Sequence, residues 1–298
     1  MLEIIPSEVT VPKLHGLLLG VVGPRPIALA STVDASGNQN LSPFSFFNIF
    51  SANPPIAIFS PARRGRDNTV KHTYENVLEV PEVVINIVNH SIVEQVSLSS
   101  TEYPKGVNEF EKSGLTPISS HLVRPSRVAE SPAQLECHVN QVIALGNGGG
   151  AGNLVVCEIL KMHISEDILD ADGRVDMQKI DLVGRMGGDW YVRASGSALF
   201  EVEKPLTKLG IGVDALPRDI RDSKVLTGNH IGKLGNVEAL PDETAVNEYK
   251  LIELSELFVR WADTPVLLEQ KLHQHAAQLL DNNRVADAWK TLLSFNNR

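Results

Sequence analysis

The chain reads as a mainly β domain with inserted helices over residues 1–204, followed by a mostly helical extension over 205–298. Apolar, β-branched runs of strand length recur as far as about residue 200, and the helix-like stretches between them are short. That pattern suits an antiparallel barrel better than alternating strand–helix–strand units. Beyond Pro205 the composition shifts to Gly, Asn and Asp, and farther on apolar residues recur at helical spacing.

Residues 26–33, PIALASTV, have the pattern of a buried strand, and DASGNQ supplies the Asp, Gly and Asn of a turn. NLSPFSFF, 40–47, then alternates as the return strand of a hairpin. Phe44, Phe46, Phe47 and Phe50 are four of the nine phenylalanines in the chain. Strand is expected to pass into loop here, with phenylalanines on a core face and the serines between them left for chemistry. PPIAIFS (54–60) and EVVINIVN (82–89) are further strands, and Asp67, Asn68 and Thr69 are cap candidates for a short helix between them. Ser91 and Glu94 have capping-box spacing, and GVNEFEKSGL (106–115) reads as a third helix. Two more strands, 133–146 and 153–164, are joined by the glycine-rich NGGGAGN.

In the extension, KLGIGVDALP (208–217) is echoed by KLGNVEALP (233–241), two copies being too few for a solenoid. NEYKLIELSELFVRW and the segment 265–295 carry helical periodicity, with Asp and Pro punctuation at 263–265.

A net charge of −9 argues against sequence-independent binding to nucleic acid or anionic membrane. No apolar run approaches the roughly 18 residues of a membrane span. MLEIIPSEVT lacks the basic start and apolar stretch of a secretory signal, so a cytoplasmic protein is expected. Cys137 and Cys157 fit a reducing compartment and are read as buried thiols on strands. No metal site is expected: His273 and His275 fall on different faces of a helix, and His138 and His163 are read as hydrogen-bonded structural residues. Neither a Ser-His-Asp arrangement nor G-x-S-x-G has support, so no catalytic side chain is assigned.

Gly146, Gly148 and Ala151 match G-x-G-x-x-A, but that fingerprint needs a following helix, and Leu154, Val155, Val156 and Cys157 read as strand. The segment is expected to be a flexible strand-to-strand loop, with bordering a site left open. SPARRGRDNTVKHT is more informative: Arg63, Arg64 and Arg66 lie close together in an acidic chain, beside Asn68 and Thr69. Guanidinium forks, a hydroxyl and amide donors together suit a phosphate. VGRMGGDWYVR (183–193) is either a turn entering an amphipathic strand or a place where Arg185 and the glycines approach a ligand or partner. An anion loop and a polar aromatic loop, without a nucleophile or acid–base pair, point to chemistry that belongs to a bound cofactor.

From Arg25 to Glu203, RPIALASTVDASGNQNLSPFSFFNIFSANPPIAIFSPARR, DNTVKHTYEN, EVVINIV, GVNEFEKSGLTPI, RVAESPAQLECHV and VGRMGGDWY follow in order. This ordered set resembles the flavin reductase-like family, FMN-binding split β-barrels of Greek-key type often associated with flavoprotein oxygenases. The resemblance implies a homodimer with one FMN per subunit near the interface. It maps the flavin-contacting loop onto Ser42, Pro43, Phe44, Ser45, Phe46 and Asn48. The phosphate segment maps onto Ser60, Arg63, Arg64, Arg66, Asn68 and Thr69, and an inner strand onto Ser31, Thr32 and Asn86, with Arg185 in the GR-x-GG piece. Where reductases of this superfamily often carry a His near the nicotinamide, this chain has Leu154 and Val155.

The leading expectation is an FMN-dependent oxidoreductase resembling NAD(P)H:flavin reductases, with NADH or NADPH as electron donor and an oxygenase or electron-transfer protein as partner. The alternatives are a non-catalytic FMN electron carrier, or a scaffold with a vestigial flavin site and an interacting extension.

Overall fold

A computed structural model describes residues 1–295 and divides the chain into two compact units, Met1–Phe200 and a second that begins at Glu201. The first starts with α1 (Val11–Val21) and contains a seven-stranded antiparallel sheet. Its strands are β1 (Ala28–Val33), β2 (Gln39–Phe44), β3 (Phe47–Ala52), β4 (Pro55–Phe59) and β5 (Glu82–Ile87), with two long strands added later in the chain. β6 (Pro117–Ile118) and β7 (Arg127–Val128) form a separate small ladder before those long strands, β8 (Ala133–Ala144) and β9 (Asn153–Ile164).

The sheet order is β2-β1-β5-β8-β9-β4-β3, so β2 and β3 occupy opposite edges although only Ser45 and Phe46 separate them in sequence. A link that short spans about 10 Å at most. The two edges must therefore curl toward each other, and the result is the split β-barrel expected from the sequence.

Alternation along the strands builds two cores. Ala28, Ala30, Phe44, Phe59, Val83, Ile85, Cys137, Val155 and Cys157 fill the barrel interior. The rings of Phe44 and Phe59 pack tilted at 5.3 Å. Leu29 and Leu41 face the other way, where Val96 of α3 (Val93–Leu98) and Phe110 of α4 (Glu109–Ser113) cover them. α2 (His72–Glu79) sends Val77 into the first core. After α5 (Met177–Ile180), the hairpin of β10 (Leu182–Arg185) and β11 (Tyr191–Ala194) ends this unit.

Two expected helix caps are corrected. α2 starts beyond Asp67–Thr69, with Lys71 at its N-cap position and no side-chain cap, because the Asp67 carboxylate accepts the Thr69 N–H and hydroxyl inside a turn. Ser91 lies in a 3-10 turn ahead of α3 and donates to Asn89 at 2.7 Å, so the Ser91–Glu94 capping box does not form.

The second unit is helical: α6 (Arg218–Arg221), α7 (Gly228–Gly235), α8 (Glu243–Glu253), α9 (Ser255–Arg260), α10 (Pro265–Asp281) and α11 (Val285–Leu293). Leu234, Leu280, Trp289 and Leu292 form its centre, and the Trp289 indole donates to the Leu234 carbonyl at 3.2 Å. The echoed segments lie against each other: the Ile211 N–H donates to Val237 and the Gly212 N–H to Gly235. Gly210 permits this, since a Cβ there would meet the Gly235 carbonyl oxygen at 2.6 Å. Among the described residues, no helix is long and apolar enough to cross a membrane.

Candidate functional site

β4 ends at Phe59, and its continuation meets the start of β3: the Ser60 N–H donates to the Phe46 carbonyl at 2.9 Å. The bend at Ser45–Phe46 and the arginine loop are thus joined by the fold. Ser60 is buried, and its hydroxyl accepts the Asn153 N–H at 3.0 Å, fixing the first residue of β9.

The glycine-rich connection between β8 and β9 packs against the arginine loop. The Arg63 N–H donates to Ala151 and the Gly150 N–H returns to Arg63, while the Asn68 amide donates to Asn147 at 2.9 Å. Gly149 lies so close that a Cβ would stand 3.1 Å from the carbonyl oxygens of both Arg64 and Gly65. Asn68 has φ 59°, a left-handed conformation that Asn tolerates better than most residues.

Within the loop the Arg63 guanidinium donates to the Asn68 side chain at 2.7 Å and to its carbonyl at 2.6 Å. Arg64 is largely buried; it donates to the Thr69 hydroxyl at 3.0 Å and to the Val70 carbonyl. Arg66 is exposed and contacts Asp67 at 3.3 Å. The hydrogen bonds from Thr69, with Arg66 adding to them, hold the Asp67 carboxyl down at about 2, from an ordinary 3.8.

Glu102, on the segment after α3, was not legible as a site residue. Its carboxylate accepts from Arg64 at 3.0 Å and Lys71 at 3.3 Å, and also pairs with Arg66. Burial raises its pKa, but the Arg64 and Lys71 contacts outweigh burial and the net shift is downward. Ser42, Arg64, Lys71 and Glu102 line one small recess, and Arg64, Thr69, His72 and Lys105 line an open one beside it.

Arg25 likewise carries no local signal in sequence. It is 6% exposed and donates to the Leu19 carbonyl at 2.8 Å, the Met186 carbonyl at 2.7 Å, the Val22 carbonyl, and the Ser45 hydroxyl at 3.5 Å. It ties the end of α1 and the β10–β11 turn to the Ser45 bend. Burial and then the nearby Arg185 charge lower its pKa.

The remaining assigned residues divide. Pro43 is half-buried, Phe44 belongs to the interior, and Phe46 and Asn48 are exposed, Phe46 meeting the His15 ring edge-on at 6.2 Å. Thr32 lies behind the recess in a buried network: Thr32 and Thr73 donate to the Asn40 amide oxygen, Asn76 donates to Thr32, and the Asn40 amide donates to Glu109. Thr32 is fully buried, and so are two further assigned residues. Ser31 is fully buried on the Leu29 face, its hydroxyl without a hydrogen-bond partner. Asn86 is also fully buried, its amide donating to Leu29 and accepting from the Val128 N–H. Their placement follows from strand alternation, which turns Ser31 away from Thr32. Arg185 stacks over Tyr191 at 4.6 Å and pairs through its backbone with Arg25. The glycines near it approach the protein itself: a Cβ on Gly187 would meet Gly20 at 3.1 Å.

His163 has the expected structural bond, 2.6 Å to the buried Glu136, whereas His138 stands exposed. His121 joins His163 and Glu136 in a cluster whose ligand-type atoms lie within 4.8 Å. Lys161 at 2.7 Å from His121 and Arg127 at 4.0 Å from Glu136 put two cations into that cluster, an arrangement that suits an ion-paired brace. Both cysteines are buried, and burial pushes Cys137 up to about 12 and Cys157 well above its ordinary value.

The fold is an antiparallel split barrel whose sheet edges meet beside a loop rich in guanidinium and hydroxyl donors. The Flavin reductase like domain matches residues 23–178, and the chain belongs to that family. An uncharacterised protein of Aquifex aeolicus is 36% identical over 201 residues, 67% of this chain and all of that one. Nitrilotriacetate monooxygenase component B from Bacillus cereus superposes with a TM-score of 0.63 and 31% identity, covering 68% of this chain and 98% of that one. The 2-nitrobenzoate 2-nitroreductase NbaA of Pseudomonas fluorescens gives a TM-score of 0.60 and 27% identity, covering 70% of this chain and all of its own.

Proposed function

We propose that this protein is an FMN-dependent oxidoreductase of the cytoplasm that takes electrons from NADH or NADPH and passes them to a partner oxygenase or electron-transfer protein. The observation that carries the proposal is that Ser60, which leads into the Arg63–Thr69 loop, is bonded to the Phe46 carbonyl, while the loop itself is bonded to the glycine connection through Arg63 and Asn68. Family membership and the similarity to a monooxygenase component and a nitroreductase support the redox reading.

The donor set fits FMN. Arg63, Arg64, Arg66 and Thr69 supply guanidinium and hydroxyl groups suited to a phosphate monoester, and Gly149 leaves the loop room to close behind them. Ser42, Ser45 and Asn48, with the exposed backbone of the bend, supply the short polar groups suited to the heteroatom edge of a flavin. Bound FMN supplies reversible two-electron and one-electron chemistry. The protein's share is to anchor the phosphate, orient the ring through the Ser42–Asn48 segment and exclude competing reactions. A hydride transfer needs close stacking and orientation rather than a protein base, in keeping with the absence of an assigned catalytic side chain.

The dimer reading is supported by apolar side chains left exposed on the first unit: Leu18 and Val21 of α1, Ile49 and Phe50 of β3, and Leu160 and Met162 of β9. A surface of that kind suits burial against a second copy. The purified protein should be yellow with one FMN per chain, dimeric by light scattering, and bleached anaerobically by NADH or NADPH. A yellow protein that neither nucleotide reduces would remove the reductase claim. That outcome favours the carrier reading, which has its own support in the apolar Leu154 and buried Val155 at the start of β9.

A further inference from the structure

One carboxylate holds three cations at the mouth of the arginine loop. Glu102 Oε1 accepts from Arg64 Nε and Lys71 Nζ, and Oε2 pairs with Arg66 Nη2. Glu102 lies far from these residues in the chain, 38 positions beyond Arg64, and is brought there only by the fold. Its contacts use the same kind of donors that a phosphate would need, since a phosphate oxygen and a carboxylate oxygen accept guanidinium and ammonium hydrogens in the same way. Its side chain retains 32% exposure and follows the end of α3 in a segment without regular structure, so it has room to swing outward. Lys71 is 28% exposed and Arg66 70%, so their donors can turn to an incoming anion, while Arg64, at 13%, stays anchored through Thr69 and Val70.

We propose that Glu102 is a built-in counter-anion of the arginine loop: without ligand its carboxylate occupies Arg64, Arg66 and Lys71, and a phosphate-bearing ligand enters by displacing it. The proposal rests on the phosphate-binding reading of this loop. It makes Glu102 a determinant of affinity and selectivity. A weak anion fails to displace the carboxylate, whereas a phosphate ester that also has a ring contacting the Ser42–Asn48 segment succeeds. The loop is thereby kept ordered and protected from adventitious anions.

The test uses the whole chain and three probes, inorganic phosphate, FMN and riboflavin, with wild type, Glu102→Gln and Glu102→Ala compared by calorimetric titration. Three partly exposed ion pairs are together worth about a factor of ten. Both variants should therefore bind phosphate and FMN about tenfold more tightly, with riboflavin, which lacks the phosphate, unchanged. Unchanged or weaker phosphate binding in the variants would overturn the proposal, the weaker result marking Glu102 as a brace for the arginines. On the wild-type chain, phosphate should also shift the Arg64 and Arg66 Nε–H resonances, and no shift would count against displacement even if the variants failed to fold. Absence of flavin binding by every protein, with phosphate still tightened by the substitutions, would overturn the flavin reading and leave the counter-anion role standing.

Discussion

The two units of this chain are built on different physical principles. In the barrel, long-range strand pairing brings loops from distant parts of the sequence to one rim, so Ser45, Ser60, Arg64, Glu102 and Gly149 become neighbours or near neighbours. In the helical unit, apolar residues at helical spacing bury Leu280, Trp289 and Leu292, and the two glycine-containing segments close against each other. The family match ends within the first unit, at residue 178, and the Aquifex aeolicus relative is matched over its whole length by 67% of this chain. Flavin chemistry is thus assigned to the barrel, and the helical unit lies outside the family match.

The largest expected effect contrasts the two cores. Phe59→Ala and Trp289→Ala each empty a side-chain site with at most 1% exposure and should each cost about 3–5 kcal/mol. Chemical denaturation followed by circular dichroism measures both, while an FMN titration separates them. Phe59→Ala should weaken flavin binding because Phe59 directly precedes Ser60, and Trp289→Ala should leave it unchanged in protein that remains folded. Loss of FMN binding in both would break the division between the units.

Next in size is the arginine loop. Arg64→Gln removes a guanidinium that orders Thr69, Val70 and Glu102, and FMN affinity should fall about a hundredfold, measured by flavin fluorescence quenching. Arg284→Gln, which removes an exposed ion pair with Asp287 in the helical unit, should not alter it.

Acid should separate the units more gently. His273 is buried and bonded to Ser223, and burial lowers the pKa of both His273 and His275. The fold therefore favours their neutral forms; this stability is present above the ordinary 6.5 and is lost as pH falls through the depressed values. The barrel loop holds further down: Asp67, at about 2 against 3.8, stays ionised and keeps Thr69 in place until pH falls through that lower value. Hydrogen exchange between pH 7 and 3 should show α10 opening before the Asp67–Thr69 turn. The smallest effect is chemical: Cys137 and Cys157 should resist a thiol reagent in the native state and react together on unfolding, because burial holds both thiols protonated.

Much of this was legible in the sequence, for reasons that differ by residue. Strand alternation gave the β1–β2 hairpin, and the clustered arginines in an acidic chain stood out. The residues following Gly152 excluded a dinucleotide loop because they read as strand, and β9 begins there. Glu102 and Arg25 were not legible, since one carboxylate after a short helix and one arginine before a strand carry no local pattern, and only the curled sheet gives them partners. Asp67, Asn68 and Thr69 carry a cap signal in sequence yet form a turn, because the residues that cap helices also close turns with their own backbone. The resemblance groups Ser31, Thr32 and Asn86; all three are fully buried, and the two-residue period of a strand puts Ser31 on the face opposite Thr32, a division that a resemblance does not express.

The central claim, that the barrel binds FMN through a phosphate held by the arginine loop, is tested most directly by the ratio of FMN to riboflavin affinity in the whole chain and in Arg64→Gln. Wild-type protein should prefer FMN by about a hundredfold, and the preference should largely disappear in the variant. Equal affinities in the wild type, or a preference that survives the substitution, would contradict it.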